Sequence, residues 1–199
     1  MAAPAEKKLQ AQRDKLRQCK NWVNLPYSNT LALDIEAYEH QQDRLTEIGW
    51  TVYCDQKCIH SFHYIVLEHQ HLHNRRFVAG CKNNYNFGQS IVAPLAEIIQ
   101  ELQTEFTMRP DLALVAHGVH SDLAYLRKVG VAISPSIRTF DTKDLFCAYT
   151  NNPQNGRKLA VVLQQLNIPC SYLHNAGNDA YYTLKALLVM CELPGAHNF

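Results

Sequence analysis

Four acidic residues and one histidine stand at spacings that could do chemistry. In the run Leu-Ala-Leu-Asp-Ile-Glu, residues 31–36, side chains of an extended strand alternate. Leu31, Leu33 and Ile35 therefore share one face, and Ala32, Asp34 and Glu36 the other. Two carboxylates side by side on an apolar-flanked strand are costly to bury unless something cationic lies between them. A second run, His-Gly-Val-His-Ser-Asp-Leu-Ala-Tyr-Leu at 117–126, follows a strand and opens a helix. Asp122 shares a stripe with Tyr125, Leu126 and Val129, so it points with the apolar face toward the sheet. A third, His174-Asn-Ala-Gly-Asn-Asp179-Ala, again starts a helix with an aspartate. Tyr182 and Ala186 lie on its stripe, and His174 stands in the loop before it, where Gly177 permits a sharp turn. Each run alone has a plain structural account: a solvated acidic edge, an acid favoured in a first helical turn, an Asn/Asp helix start with an incidental histidine. Taken together they describe four converging carboxylates, which repel one another without metal. All-oxygen ligands select hard divalent cations such as Mg²⁺ or Mn²⁺. Two such ions roughly 3.5–4 Å apart serve in-line displacement at phosphorus. His174 is then suited to take a proton from water near neutral pH.

The elements that must hold these residues are legible in outline. The expected strands are 31–36, 47–54 and 62–68, an antiparallel meander with a turn at 55–57. In the second strand Ile48, Trp50 and Val52 alternate with Gly49, Thr51 and Tyr53. Residues 69–90, rich in His, Asn and Gly, read as a loop. A helix over 92–106 follows, then a strand at 112–116, a helix at 122–129 and a strand at 137–140. Short helices at 143–149 and 158–166 flank the turn-rich NNPQNG, and a longer helix covers 179–192. Three strands followed by alternating helices and strands predict an α/β protein, a mixed five-stranded sheet flanked by helices. Ahead of it, residues 6–20 are strong helix formers with Leu9, Leu16 and Val23 spaced by seven. That stripe is narrow, so the helix is expected to pack weakly or to bind a partner. The division is a basic helical arm at 1–29 and a catalytic domain at 30–199.

Composition narrows the class. The chain of 199 residues is 47% hydrophobic and 19% charged, ordinary for a folded globular protein and against disorder as its main state. No stretch nears eighteen uninterrupted apolar residues, so no membrane span or membrane partner is expected. The start, MAAPAEKKLQ, is too polar for a secretory signal, and seven cysteines scattered through apolar segments read as reduced thiols. Both point to the cytoplasm or nucleus. The net charge is +1, but the first twenty residues hold six basic side chains against Glu6 and Asp14, a balance of +4 that leaves −3 for the rest. A basic arm on a mildly acidic body fits a polyanion-binding enzyme whose acidic site is shielded by metal. A solvated helix face is the alternative reading.

The pattern Asp34-x-Glu36, then Asp122, then His174-x4-Asp179 resembles the DEDDh family of 3′–5′ exonucleases on an RNase H-like fold. Glu47-Ile-Gly resembles that family's second-strand motif, Asp141-Thr142 its DT pair, and LAVVLQQLNI at 159–168 the helix before its histidine. The likeness spans about residues 30–193. It implies that Asp34, Glu36 and Asp179 hold two metal ions directly, with Asp34 bridging, and that Asp122 binds the outer ion through water. It makes His174 the general base and nucleoside 5′-monophosphates the product from a free 3′ end. Where the family often carries Thr and Gly after the first Glu, this chain has Ala37-Tyr38, whose backbone amides are candidates for holding the terminal nucleotide, together with His117 and Asn175. The runs DIEAYE, HYIVLEHQHLHN and NYNFGQS are also similar to fungal RNase H-like proteins linked to mRNA export and Argonaute-associated trimming, which favours RNA over DNA as the nucleic-acid partner. Two other readings stay open: a catalytically silent module binding RNA or protein, and a DNA-directed exonuclease. His69, His71 and His73 alternate and, with Asn74, Arg75 and Arg76, could meet phosphates. Arg127–Lys128 and Arg157–Lys158 are weaker backbone contacts. Cys54, Cys58, His60 and His63 fall across a tight hairpin, where a tetrahedral zinc set would be strained.

Overall fold

The structure is a computed structural model and describes residues 4–54, 58–109, 111–194 and 196, with the side chain of Cys58 left aside. The apolar run expected to be a short strand forms the centre of a longer one, β1 (Asn29–Tyr38). It pairs antiparallel with β2 (Gln41–Cys54), which pairs antiparallel with β3 (Cys58–Val66). The meander is therefore present, although its expected second turn at 55–57 lies outside the described residues. β5 (Leu112–Ala116) runs parallel to β1, and β6 (Arg138–Asp141) parallel to β5.

Among the described residues the sheet has six strands, not five; with β4 at Ile91–Ala93, their order is β4-β3-β2-β1-β5-β6. The added strand is β4 (Ile91–Ala93), parallel to β3, in a stretch whose sequence pattern merges into the following helix. Pro94 separates the two. A residue before proline is pushed toward extended backbone, and Pro94 is itself the N-cap of α2 (Leu95–Met108). A strand of three residues carries no periodicity by which to recognise it. The other α-helices among the described residues are α1 (Pro4–Val23), α3 (Val119–Lys128), α4 (Thr142–Tyr149), α5 (Leu159–Gln165) and α6 (Ala176–Met190).

Both faces of the sheet are covered. Leu31, Leu33, Ile48, Trp50 and Val52 pack with Ile98, Leu102 and Leu126 from α2 and α3. On the opposite face Ala32, Tyr53, Ala113 and Val115 meet residues of α1, α4, α5 and α6. Both alternating sets of β2 are thus buried, from Leu45 through Tyr53, as expected when helices lie on each side. α1 lies against α4 and buries Leu9, Gln12, Cys19, Trp22 and Val23. Gln12 Nε2 donates to Asp144 Oδ1 at 3.0 Å, and Trp22 Nε1 to Thr30 Oγ1 at 3.3 Å. No helix among the described residues is long and apolar enough to cross a membrane.

Candidate active site

Strand alternation turns Asp34 and Glu36 to the sheet face on which α6 packs, the face of Ala32. Opposite Asp34 in the ladder sits Gly49. A Cβ at Gly49 would fall 2.3 Å from both the carbonyl carbon of Ala176 and the amide nitrogen of Gly177, well inside contact distance. The missing side chain is what lets the N-terminus of α6 descend onto β2 beside Asp34. β1 then bulges between Glu36 and Tyr38, breaking register with β2. Bulges bend a strand and re-aim its side chains, and this one begins at Glu36.

α6 starts with Asn175 as its cap, whose side-chain oxygen accepts from Asn178 N at 3.0 Å. Asp179 lies in the first turn. Its Oδ2 accepts from the backbone amide of His174 at 3.0 Å, and His174 itself adopts φ 66°, in the left-handed region. Its imidazole Nδ1 lies 3.9 Å from Glu36 Oε1. Glu36, His174 and Asp179 each offer a ligand atom, all within 4.8 Å of one another. Among the described residues this is the group of three or more His, Cys, Asp or Glu side chains able to hold a metal ion.

Asp122 enters from the other side of β1. α3 begins after Gly118, at φ 105°. The Asp141 carboxylate accepts from Gly118 N at 3.0 Å, Val119 N at 3.1 Å and Lys143 N at 2.9 Å. One side chain thereby fixes the starts of both α3 and α4, the structural role of the Asp141-Thr142 pair. Asp122 is 7% exposed.

The electrostatics are those of crowded, desolvated acids. Burial, then the negative charges of Asp179, Glu36, Asp122 and Glu47, push the Asp34 carboxyl well above its ordinary value. Burial and the charge of Glu47 raise Glu36 to about 8. Burial raises Asp122 to about 7 against opposing hydrogen bonds from backbone amides, and Asp179 to about 7 against the His174 amide. His174 is lowered, by burial and then by Lys158, which favours neutral imidazole. Asp34 Oδ2 and Asp179 Oδ1 are enclosed and have no hydrogen-bond partner among the described residues. Enclosed carboxylate oxygens with no donor, beside carboxyls that resist ionising, are a donor set suited to a hard divalent cation.

The four substrate-contact candidates divide. Tyr38 is half-buried on the bulge, two residues after Glu36, and Ala37 is buried with its carbonyl accepting from Asn74 Nδ2 at 2.9 Å. His117 holds Thr142 Oγ1 at 2.8 Å through Nδ1 and the Arg157 carbonyl at 2.9 Å through Nε2. Burial and Lys143 lower it to about 4. Asn175 is fully enclosed. Its Nδ2 donates to the carbonyls of Cys81 at 3.2 Å and Lys82 at 3.0 Å. The buried partners beneath this cap come from distant strands and lie outside the local sequence patterns. His63, with no exposure, sits 3.0 Å from Glu47 Oε2 through Nε2 and 2.8 Å from Ser90 Oγ through Nδ1. Glu47 Oε2 also accepts from Ala176 N at 3.3 Å. The signal was present in the Glu47-Ile-Gly motif, where Glu47 marks one end of a polar frame and Gly49 the close approach. The imagined zinc set loses His63 to this frame, and the Cys58 side chain lies outside the described residues.

Residues 29–190 match the family model for the DNA polymerase III subunit epsilon-like DEDDh domain, C-terminal domain. The chain belongs to this DEDDh exonuclease family and has its RNase H-like fold. It is 34% identical over 201 residues to an uncharacterized nucleolar protein of Schizosaccharomyces pombe, covering 98% of this chain and 82% of the relative. It is 30% identical over 214 residues to the Saccharomyces cerevisiae protein named Good for full DBP5 activity protein 2, covering 89% of this chain and 38% of the relative. Among solved structures it is similar to E. coli exonuclease I in its zinc-bound complex with single-stranded DNA, with TM-score 0.57, 15% identity and coverage of 86% of this chain and 42% of that one. It is also similar to S. pombe Pop2p in its Mg²⁺- and Mn²⁺-bound form, with TM-score 0.50, 14% identity, and 94% and 90% coverage. The chain thus spans less than half the length of some of these proteins.

Proposed function

We propose that the chain is a metal-dependent 3′–5′ exonuclease that removes nucleoside 5′-monophosphates from RNA or short single-stranded nucleic acid. The observation that carries the reading is the meeting of Glu36, Asp179 and His174 within 4.8 Å, over acids whose enclosed oxygens lack donors. A silent binding module would retain this costly cluster for no return. Family membership supports hydrolysis at phosphorus.

Asp34, Glu36, Asp122 and Asp179 would hold two ions, Mg²⁺ or Mn²⁺. When bound, such ions neutralise the phosphate and make water a stronger nucleophile. His174, kept neutral by its surroundings, accepts the proton as the water oxygen bonds to phosphorus. The bond from phosphorus to the 3′-oxygen of the preceding nucleotide breaks; that oxygen takes a proton from solvent to become the new terminal hydroxyl, and His174 returns its proton to solvent. Ala37 and Tyr38, adjoining Glu36, hold the terminal nucleotide. The S. pombe relative's nucleolar name supports a nuclear location. The preference for RNA rests on the softer motif likeness.

End-labelled RNA and DNA, single and double stranded, incubated with Mn²⁺, test the reading. The expected products are 5′-monophosphates released stepwise from 3′ ends, with a 3′-phosphate or a closed circle resisting. Asp34→Asn should fold, by circular dichroism, and not cleave. Near wild-type turnover in that variant, or efficient cutting of the circle, would overturn the proposal.

A further inference from the structure

Beyond the bulge that ends at Tyr38, the chain turns back through Glu39 and His40, and the segment 74–77 is bound onto that turn. Asn74 clamps it from one end, accepting from Glu39 N at 2.8 Å and donating to the Ala37 carbonyl at 2.9 Å. Glu39 clamps it from the other. Its carboxylate accepts from the backbone amides of Phe77 at 2.9 Å, Arg76 at 3.0 Å and Arg75 at 3.3 Å. An anion in a nest of successive amides is a rigid device, so the segment is held although it has no helix or strand.

What it holds is an exposed ring. Phe77 is 68% exposed, so most of its ring face is open to solvent. The Arg76 guanidinium lies 5.1 Å from its centroid. His40 stands edge-on at 6.0 Å and in turn meets Tyr38 at 5.3 Å. The rings thus form a row whose first member, Tyr38, stands two residues along the chain from Glu36. Arg75 and Arg76 are exposed and make no ion pair among the described residues. Aromatic faces interleaved with free guanidinium groups bind single-stranded nucleic acid without reading its sequence, because every base has a π-face and every linkage a negative charge.

We propose that Phe77, backed by Arg76 and His40, is a stacking station for an unpaired base upstream of the terminal nucleotide, with Arg75 and Arg76 facing the phosphates of that strand. The polarity rests on the exonuclease reading; the stacking does not. Phe77 is joined to Tyr38 only through His40, which assigns it in this proposal to the strand behind the end rather than to the end itself. Paired bases have no free face to offer, which makes the row a selector for single strands.

The test uses the full chain and ten-nucleotide single-stranded probes carrying 2-aminopurine at the second, third or fourth position from the 3′ end. In EDTA, the wild type should quench the fluorescence at one of these positions. Phe77→Ala should abolish that quenching and raise Kd about tenfold, within the usual range for losing one stacked base, while Phe77→Trp should retain both. In Mn²⁺, Phe77→Ala should slow hydrolysis of the oligonucleotide but not of the p-nitrophenyl ester of thymidine 5′-monophosphate, which has no upstream base. Absence of quenching by the wild type, or quenching and Kd in Phe77→Ala within twofold of wild type, would overturn the proposal. So would equal slowing of both substrates, which would assign Phe77 to the fold or the acidic cluster. Hydrolysis of neither substrate by the wild type, with the quenching pattern intact, would refute the exonuclease reading while supporting the station.

Discussion

His174 has two chemical options. Its ring is close enough to Glu36 and Asp179 to join them around an ion, yet its lowered pKa and half-exposed side chain also suit a base that meets water. The two roles separate by measurement. As a base, His174→Ala should lower turnover by about 10²–10⁴-fold and leave Mn²⁺ affinity in calorimetry unchanged. Lost affinity would make it a ligand. The acids around it supply a second expectation. Glu36 is raised to about 8 and Asp122 and Asp179 to about 7, against unfolded values of about 4. Between those limits the folded, metal-free protein binds more protons than the unfolded chain, so its stability falls as pH rises. The stabilisation is complete below the unfolded pKa and is lost on passing through about 7 to 8. Melting curves in EDTA should therefore show Tm declining from about pH 5 to about pH 8, with a shallower decline in Asp34→Asn, whose carboxamide does not ionise. Mn²⁺ should recover the loss at the alkaline end. A Tm that rises with pH in EDTA would contradict the reading of the site as uncompensated acids.

At the scale of elements, the site depends on how closely α6 approaches β2. Gly49 is the position that permits it, since backbone atoms of Ala176 and Gly177 occupy the space of its Cβ. Backbone cannot rotate out of the way as a flexible side chain can. Gly49→Ala should push back the helix start that carries Asp179, at a stability cost of about 1–3 kcal/mol, the usual range for overpacking. It should reduce turnover by more than tenfold, because about 1 Å of misplacement can cost roughly 10². A variant with wild-type Tm and turnover would show that the contact relaxes harmlessly. Glu47 and His63 work from beneath the same helix start. They join β2, β3 and the Ala176 amide, so they position the helix start that carries Asp179, while the charge of Glu47 also raises Glu36, its cross-strand partner.

Across the whole molecule, covering both faces of the sheet decides which hydrophobic stripes become core. α1 illustrates this. Its sequence stripe is narrow, but Cys19 and Val23 are fully buried, Trp22 and Leu9 nearly so, and Lys20 pairs with Glu192 at 3.0 Å. Cys19 and Cys191 also bring their sulfurs to 3.5 Å, joining the helix to the end of α6. Removing residues 4–23 would uncover α4 and forfeit several buried side chains at about 1.5–3 kcal/mol each. The truncated chain should melt more than about 10 °C lower, given roughly 2–4 °C per kcal/mol at this size. A truncation that melts within about 2 °C of the full chain would make α1 a true appendage.

The residues of the candidate site are legible in the sequence because their signals are local. The alternation at Asp34 and Glu36, and the helix starts at Asp122 and Asp179, follow from the periods of strand and helix alone. So did β5, which is bounded by abrupt changes of composition. Long-range packing decided the rest. A sixth strand forms at Ile91–Ala93 because β3 offers it an edge, which no window of nearby residues contains. Asn175 is spent on carbonyls 93 and 94 residues away, and its own sequence reads only as a helix cap. His63 looks like a metal ligand in a hairpin until Glu47 and Ser90 close around it. The exposed ring of Phe77 stands out only once Glu39, 38 residues earlier, gathers its backbone. Local periodicity determines where a side chain points along its own element. Which groups then face one another depends on loop closure and burial summed over the whole chain, and there the sequence pattern has no period to read.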